Sequence, residues 1–316
     1  MGVPGLGVIG TGFWGRNHAR VIHELKAVEL VGVCDLDPSK AREIGEQYNV
    51  EWYTRDEDLL ARNDLDAVCV CTPTVTHADI ALKLIARGKH VLIEKPIAEN
   101  VTQAQQIVDA AEREGVFTMT GFIERFNPGF RRLKQMVVKE EVGTVVLAFA
   151  RRVGSWPVRV GDVGVLKDAA IHDIDIMRHL YDNDPAILFA RAGSLRHTHE
   201  DFVQITMGFE GIKTAFVEAN WLTPQKIRTL TVTGSDAIAT LNYLTQEIVV
   251  EDEEKTLKLT HEWEEPLKNE LEHFATCVRS NDTPAVTGFD GLRALQIAEA
   301  AMRSAQTGKA IQLRWH

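Results

Sequence analysis

Three glycines, Gly10, Gly12 and Gly15, close a short apolar run, Leu6 to Ile9, at the point where helical spacing begins, and Asp35 follows twenty positions after Gly15. That order is the fingerprint of a dinucleotide-binding βαβ unit. Gly10 takes the tight turn, Gly12 lets the backbone approach a pyrophosphate, and Gly15 lets the helix lie close on the sheet. Amides at the helix start, beside Phe13 and Trp14, face the phosphates. Leu30 to Cys34 reads as the second strand, which puts Asp35 at its end, where a carboxylate accepts from both ribose hydroxyls. Leu36 rather than Arg comes next. A 2′-phosphate would meet an unneutralised carboxylate there, so NAD is expected over NADP. Lys40 and Arg42 lie close enough in sequence to keep NADP open.

With 316 residues, 45% hydrophobic and 25% charged, the chain is long enough for two domains with sizeable cores. A net charge of −10 counts against a nucleic-acid partner. No run approaches the length of a membrane-spanning helix, and the N-terminus enters a strand with no charged and apolar leader, so a cytoplasmic protein without a membrane partner is expected. The four cysteines, Cys34, Cys69, Cys71 and Cys277, lack ligand-pair spacing. They read as small buried residues in a reducing compartment, and no metal is expected.

From Leu6 to about Gly121, nearly continuous apolar strands alternate with helix-period segments, the pattern of a doubly wound parallel sheet covered on both faces. The strands are Leu30 to Cys34, Ala67 to Cys71, Val91 to Ile93 and Phe117 to Met119. Thr76 with Asp79 opens a helix ending at Gly88. Thr102 with Gln105 forms a capping box for another that ends at Gly115 and buries Ala104, Ile107, Val108 and Ala111. After Gly121 the texture changes. A short helix, Pro128 to Val138, precedes six long segments: Thr144 to Val153, Ile187 to Leu195, Asp201 to Phe209, Lys213 to Leu222, Arg228 to Thr233 and Ile238 to Val250. Short turns such as Glu210 with Gly211 point to a mainly antiparallel sheet. Helices follow at Asp168 to Tyr181, Leu267 to Arg279 and Leu292 to Gln306. The expected domains are thus 1–121, binding the cofactor, and 122–316, an α+β substrate and oligomerisation domain. Val145 to Ala150 is apolar without alternation, which predicts an open sheet face covered by a second copy, in a homodimer or homotetramer; the alternative is cover by the chain's own tail.

Two constellations could carry chemistry. Thr72, Pro73 and His77 follow the fourth strand, and Glu94, Lys95 and Pro96 follow the fifth, both at the edge where open α/β sheets bind ligands. All but Pro96 are placed against the cofactor. Desolvation and a nearby positive nicotinamide would suit Lys95 to proton transfer, and a cis Pro96 bond could aim it inward; an exposed strand-end lysine is the plain alternative. The second is Asp168, His172, Asp175 and His179, one stripe if helical, in which a carboxylate orients a histidine able to move a hydroxyl proton. A zinc or manganese site and a solvated helix start are the alternatives. His197 to Asp201 lies between predicted strands and reads as an exposed polar hairpin.

Taken in order, Gly10 to Gly15 with Asp35, Thr72-Pro73, Glu94-Lys95-Pro96, and Asp168 with His172 resemble the glucose-fructose oxidoreductase, inositol dehydrogenase and rhizopine catabolism (Gfo/Idh/MocA) family over nearly the whole chain. The resemblance implies an N-terminal Rossmann domain, a C-terminal α/β domain with an open sheet, a tightly held nicotinamide cofactor, and catalytic roles for Lys95, Asp168 and His172, which would also contact substrate. Ala170 stands where the common family form has glycine. With Gly121 to Pro128 it resembles the branch oxidising the 3-hydroxyl of UDP-N-acetyl-hexosamines or their uronic acids. Glu124, Arg125 and Asn127 are then substrate-binding candidates; for Arg125 and Asn127, an ion pair and a helix cap are the alternative. Inositol or polyol oxidation, and a non-catalytic dinucleotide sensor, are the rival functions.

Overall fold

The computed structural model describes residues 2–156 and 163–315, which divide into two compact units. The first comprises Met1–Ile123 and Glu265–Arg293, the second Glu124–Glu264 and Ala294–His316.

The first unit runs β1 (Gly5–Ile9), α1 (Phe13–Glu24), β2 (Glu29–Cys34), α2 (Pro38–Tyr48), β3 (Glu51–Tyr53), α3 (Asp56–Leu60), β4 (Ala67–Val70), α4 (His77–Ile85), β5 (His90–Ile93), α5 (Val101–Glu114) and β6 (Thr118–Thr120). Its six parallel strands take the order β3-β2-β1-β4-β5-β6, the doubly wound sheet expected. Strand order reverses between β1 and β4, and a crevice for ligands opens at the carboxyl ends there. Every residue of β1 and β4 is buried, which is why these strands read as unbroken apolar runs. Edge strand β3 is largely exposed and escapes a hydropathy reading. The cap of α5 is Asn100, whose side chain accepts from Gln103 N at 3.0 Å, rather than Thr102. Its buried stripe is Ala104, Ile107, Ala110 and Ala111, with Ala110 in place of Val108. Gly115 ends it in the left-handed region, as its position after the helix requires.

The second unit opens with α6 (Pro128–Val138) and continues with β7 (Leu147–Val153), α7 (Ile171–Tyr181), β8 (Ile187–Gly193), β9 (Phe202–Gly208), β10 (Thr214–Asn220), β11 (Ile227–Thr233), β12 (Ile238–Asn242), β13 (Ile248–Glu251) and β14 (Thr256–Leu259). Helix α8 (Pro266–Ser280) returns to the first unit, α9 (Gly288–Thr307) passes from one unit to the other, and β15 (Ile311–Gln312) closes the sheet. All pairs in this nine-stranded sheet are antiparallel except β7 with β10. The single expected strand Ile238 to Val250 is two, because the Asn242 side chain accepts from Leu244 N and bends the chain and Gln246 adopts positive φ. That turn has neither glycine nor proline to announce it.

Residues 122–316 are therefore not one unit. Phe274 of α8 meets the Phe117 ring edge-on with centroids 6.1 Å apart, a usual separation for an aromatic pair, and Arg20 of α1 pairs with Glu265 at 2.5 Å. In β7 the run that lost its hydropathic alternation keeps an alternation of size. Ala148 and Ala150 are fully buried, whereas Leu147 and Phe149 are about 40% exposed (40% and 41%). With Phe216 and Thr231 they line a hollow of about 540 Å³ on the open face.

Candidate active site

The three glycines of the first unit differ in what surrounds them. A Cβ on Gly15 would stand 1.7 Å from the Gly10 carbonyl oxygen, and one on Gly10, whose φ is +88°, would stand 2.8 Å from the Cys71 and Thr72 backbone. A Cβ on Gly12 would meet nothing within 4 Å. Gly12 caps α1 without a side-chain hydrogen bond, and no acidic residue lies in the first turn. Helix-end amides, an open approach and no competing carboxylate fit a pyrophosphate. Gly12→Ala is expected to melt with the wild type and to weaken NAD binding by about 10-fold or more, the loss of one charge-assisted hydrogen bond. Gly15→Ala is expected to lower the melting temperature itself. Thermal melts with cofactor fluorescence titrations separate the two.

Asp35 accepts from Thr11 N at 2.7 Å and Thr11 Oγ1 at 3.1 Å through Oδ2, and from Asp37 N at 2.9 Å through Oδ1. Oδ1 keeps the freer acceptor capacity for a ribose hydroxyl. The cations that kept NADP open are engaged: Lys40 lies 3.7 Å from Asp37, and Arg42 Nε 2.6 Å from Glu46. Leu36 is exposed and supplies no charge. These residues fit NAD.

At the ends of β4 and β5, His77 is buried with Nδ1 2.9 Å from Pro96 O and Nε2 2.9 Å from Thr72 O. His77 thus brackets two turns, and Thr76 Oγ1 sits 2.8 Å from both Thr72 Oγ1 and Pro73 O. The Lys95-Pro96 bond is cis. Lys95 is 8% exposed, so the open strand-end alternative fails, and its N–H donates to Glu94 Oε2 at 3.2 Å. The other Glu94 oxygen lies 3.0 Å from Nε2 of His18, a fully buried residue of α1. His18 was not legible as a site residue; its one signal is a histidine on the apolar stripe of the cofactor helix. Cys69 and Cys71 are pushed well above the ordinary thiol range, first by burial, and Cys34 up to about 12 by the same cause, which leaves them protonated and inert.

In the second unit, Asp168 belongs to a single π-helical turn, Leu166–Ala170, and His172 to the first turn of α7. Both are buried rather than solvated. Such turns recur at functional sites because the inserted residue re-aims its neighbours. Glu200 holds this one: its Oε1 accepts from Leu166 N at 3.1 Å and its carbonyl from Val165 N at 2.9 Å. Asp201, fully buried, accepts from Leu195 N and Arg196 N at 2.8 and 2.6 Å. The hairpin expected to be merely exposed and polar is therefore a buttress at its Glu200-Asp201 end. The expected stripe divides. Asp175 takes Arg125 at 2.7 and 2.5 Å, and the His179 ring packs 5.8 Å from Phe130.

Arg125 and Asn127 follow the ion-pair and cap alternative. Asn127 accepts from Gly129 N at 3.1 Å and donates to Tyr243 O at 3.1 Å. Glu124 receives Arg152 Nη1 at 3.0 Å, while Arg152 grips Asp173 at 2.8 and 3.0 Å. Burial works against the Arg152 charge, but Asp173 and Glu124 outweigh it and hold the guanidinium above its ordinary value. This buried cluster fixes α7, and with it His172, to β7. Among the described residues no group of three or more His, Cys, Asp or Glu is arranged to hold a metal ion.

The family model described as "Oxidoreductase family, NAD-binding Rossmann fold" matches residues 5–122, and "Oxidoreductase family, C-terminal alpha/beta domain" matches 134–313. Inositol 2-dehydrogenase of Rhizobium meliloti is 30% identical over 97% of this chain and 98% of its own length. The scyllo-inositol 2-dehydrogenase (NAD(+)) of Bacillus subtilis is 27% identical over 97% of this chain and 95% of its own. Among solved structures, UDP-N-acetylglucosamine 3-dehydrogenase from Acidithiobacillus ferrooxidans aligns with a TM-score of 0.89 at 24% identity, over 97% of this chain and 99% of that one. A family match to each half, in the order the sequence motifs require and on a sheet whose glycine turn fits a dinucleotide, makes this chain a member of the Gfo/Idh/MocA family of NAD-dependent oxidoreductases.

Proposed function

We propose that the chain oxidises a ring secondary alcohol of a cyclic polyol or sugar, with inositol the first substrate to test. The observation carrying this reading is a full-length relative at 30% identity that acts as an inositol 2-dehydrogenase. Bound NAD supplies the hydride acceptor. One of His172 Nε2 and Lys95 Nζ takes the hydroxyl proton, and the other hydrogen-bonds the oxygen as it becomes a carbonyl; Asp168 orients or charge-balances them. The UDP-linked amino sugar, the first expectation from sequence, is the second reading: Ala170 and the Gly121 to Pro128 stretch still resemble that branch, while Arg125 and Asn127, offered for its oxygens, bond instead to Asp175, Gly129 and Tyr243.

NADH absorbance with myo-inositol, scyllo-inositol and UDP-N-acetyl-hexosamines tests this. NADH formation with an inositol supports it. NAD binding with no reduction by any of them would instead favour the sensor. No helix among the described residues is long and apolar enough to cross a membrane.

The open face of the second sheet is covered, in this reading, by a second copy of the chain. Leu147, Phe149, Phe189 and Phe216 are each more than a third exposed there. A patch of that chemistry marks an interface. Sedimentation is expected to give a dimer or tetramer, and Phe149→Asp with Phe216→Asp a monomer; a monomeric wild type refutes the interface.

A further inference from the structure

On the helix-covered face of the second sheet, Arg152 of β7 and Arg228 of β11 stand directly opposite each other in an antiparallel pair. Like charges in that register repel. Arg152 is answered on three sides, by two oxygens of Asp173 and one of Glu124. Arg228 is not. Among the described residues its guanidinium makes no hydrogen bond, and its ion-pair contact is Glu124 Oε1 at 3.7 Å, the oxygen already accepting from Arg152. The other Glu124 oxygen takes Asn127 Nδ2 at 3.2 Å. The Arg228 side chain is 34% exposed, against 6% for Arg152.

A second polar group in the cluster also lacks a hydrogen bond. Tyr243 receives Arg152 over its ring at 5.5 Å and donates its N–H to Arg228 O, yet its buried hydroxyl has no hydrogen-bond partner among the described residues. The cluster adjoins the chemistry. Asp173, gripped by Arg152, is the chain neighbour of His172, and the charge of Asp168 is felt at Arg228. Burial first, then Arg152, lowers the Arg228 guanidinium from its ordinary value, and a further anion would reverse that.

We infer that Arg228 is a substrate-binding residue whose forked N–H groups take an oxyanion, a carboxylate or a phosphate, carried by the sugar or polyol. A neutral ring such as inositol meets Arg228 through hydroxyls alone and leaves the two arginines opposed, so within the same reading of a ring alcohol oxidised the inference names a charged sugar or polyol over inositol. An oxyanion accepts two parallel N–H bonds from a guanidinium and relieves the repulsion at once. The inference rests on the reading of Asp168 and His172 as residues that meet substrate.

Calorimetric titration of NAD-loaded protein with D-glucuronate, D-glucose 6-phosphate and D-glucose tests it, because the three differ only at or beyond carbon 6. One anion is expected to bind about 10- to 100-fold more tightly than glucose, the range for a hydrogen bond to a charged group. Arg228→Gln is expected to bring that ratio near one, and Arg228→Lys, which keeps the charge without the fork, to restore part of it. Preference for glucuronate names a carboxylate, preference for the phosphate ester a phosphoryl group. Equal binding of all three to the wild type, no measurable binding of either anion, or a ratio that survives in Arg228→Gln overturns the inference. Cofactor fluorescence and thermal melting verify that each variant is folded. Failure of the dehydrogenase reading would be seen separately, as absence of NADH formation, with anion binding still measurable.

Discussion

Lys95→Met is expected to lower turnover about 10³-fold at saturating polyol and NAD, the middle of the range for removing a positioned proton-transfer group. The substitution keeps the unbranched stem that fills this buried place and removes the ammonium alone. Three features of the first unit set the lysine. It follows β5 at the ligand edge of a doubly wound sheet. Its N–H is held by Glu94, and Glu94 in turn by His18. NAD affinity is expected to stay within about threefold, because in the proposed reading the glycine turn, Gly10 to Gly15, would hold the pyrophosphate; a lysine that merely shaped the cofactor pocket would show the opposite split. Turnover equal to wild type removes Lys95 from the mechanism. His172→Asn should then be compared across pH, since the variant lacking the base loses the limb of the rate profile that the base produces.

The sequence is most legible where a single residue type is physically required. Gly10 and Gly15 are enforced by backbone approach, as the roles read for them from sequence require, whereas Gly12 has open space beside it and no contact within the chain demands a glycine there. The parallel strands were legible because burial on both faces writes unbroken apolar runs; β3, largely exposed, writes none. The cap of α5 went to Asn100 over Thr102 because either residue satisfies the local pattern. Helix α8 could be read from its period, but a buried stripe does not say what buries it, and Phe274 turned out to answer Phe117 of the first unit. Charged residues were the least legible. Arg125, Arg152 and Arg228 are chemically alike, and only the third dimension shows that the first two are enclosed by carboxylates and the last is not.

Arg152→Met is expected to destabilise the protein by about 3–5 kcal/mol, because it strands Asp173 and Glu124 without the cation that compensates them. In a unit of this size that corresponds to a fall in melting temperature of roughly 10 °C. Arg152 bonds both carboxylates and is almost completely enclosed, so water cannot take over its role. The loss should depend on pH with a definite sign. Burial pushes the Asp173 carboxyl up, and Arg152 beside it pulls back; removing the arginine leaves burial less opposed and raises the folded-state value further. A carboxyl raised on folding binds its proton more tightly in the native state, so stability falls as pH climbs from the ordinary carboxylate value through the raised one. The deficit of Arg152→Met is therefore largest at neutral pH and shrinks as pH is lowered toward that ordinary value, where a protonated Asp173 needs no partner. Arg152→Met combined with Asp173→Leu should recover much of the loss, since exchanging a buried pair for apolar side chains is far milder than breaking it. Denaturant melts of the wild type, both single variants and the double variant at neutral and acidic pH give the coupling directly. A deficit that is small, or that grows on acidification, means that the cluster does not bind α7 to β7, and that His172 takes its position from the π-helical turn and the Glu200 buttress instead.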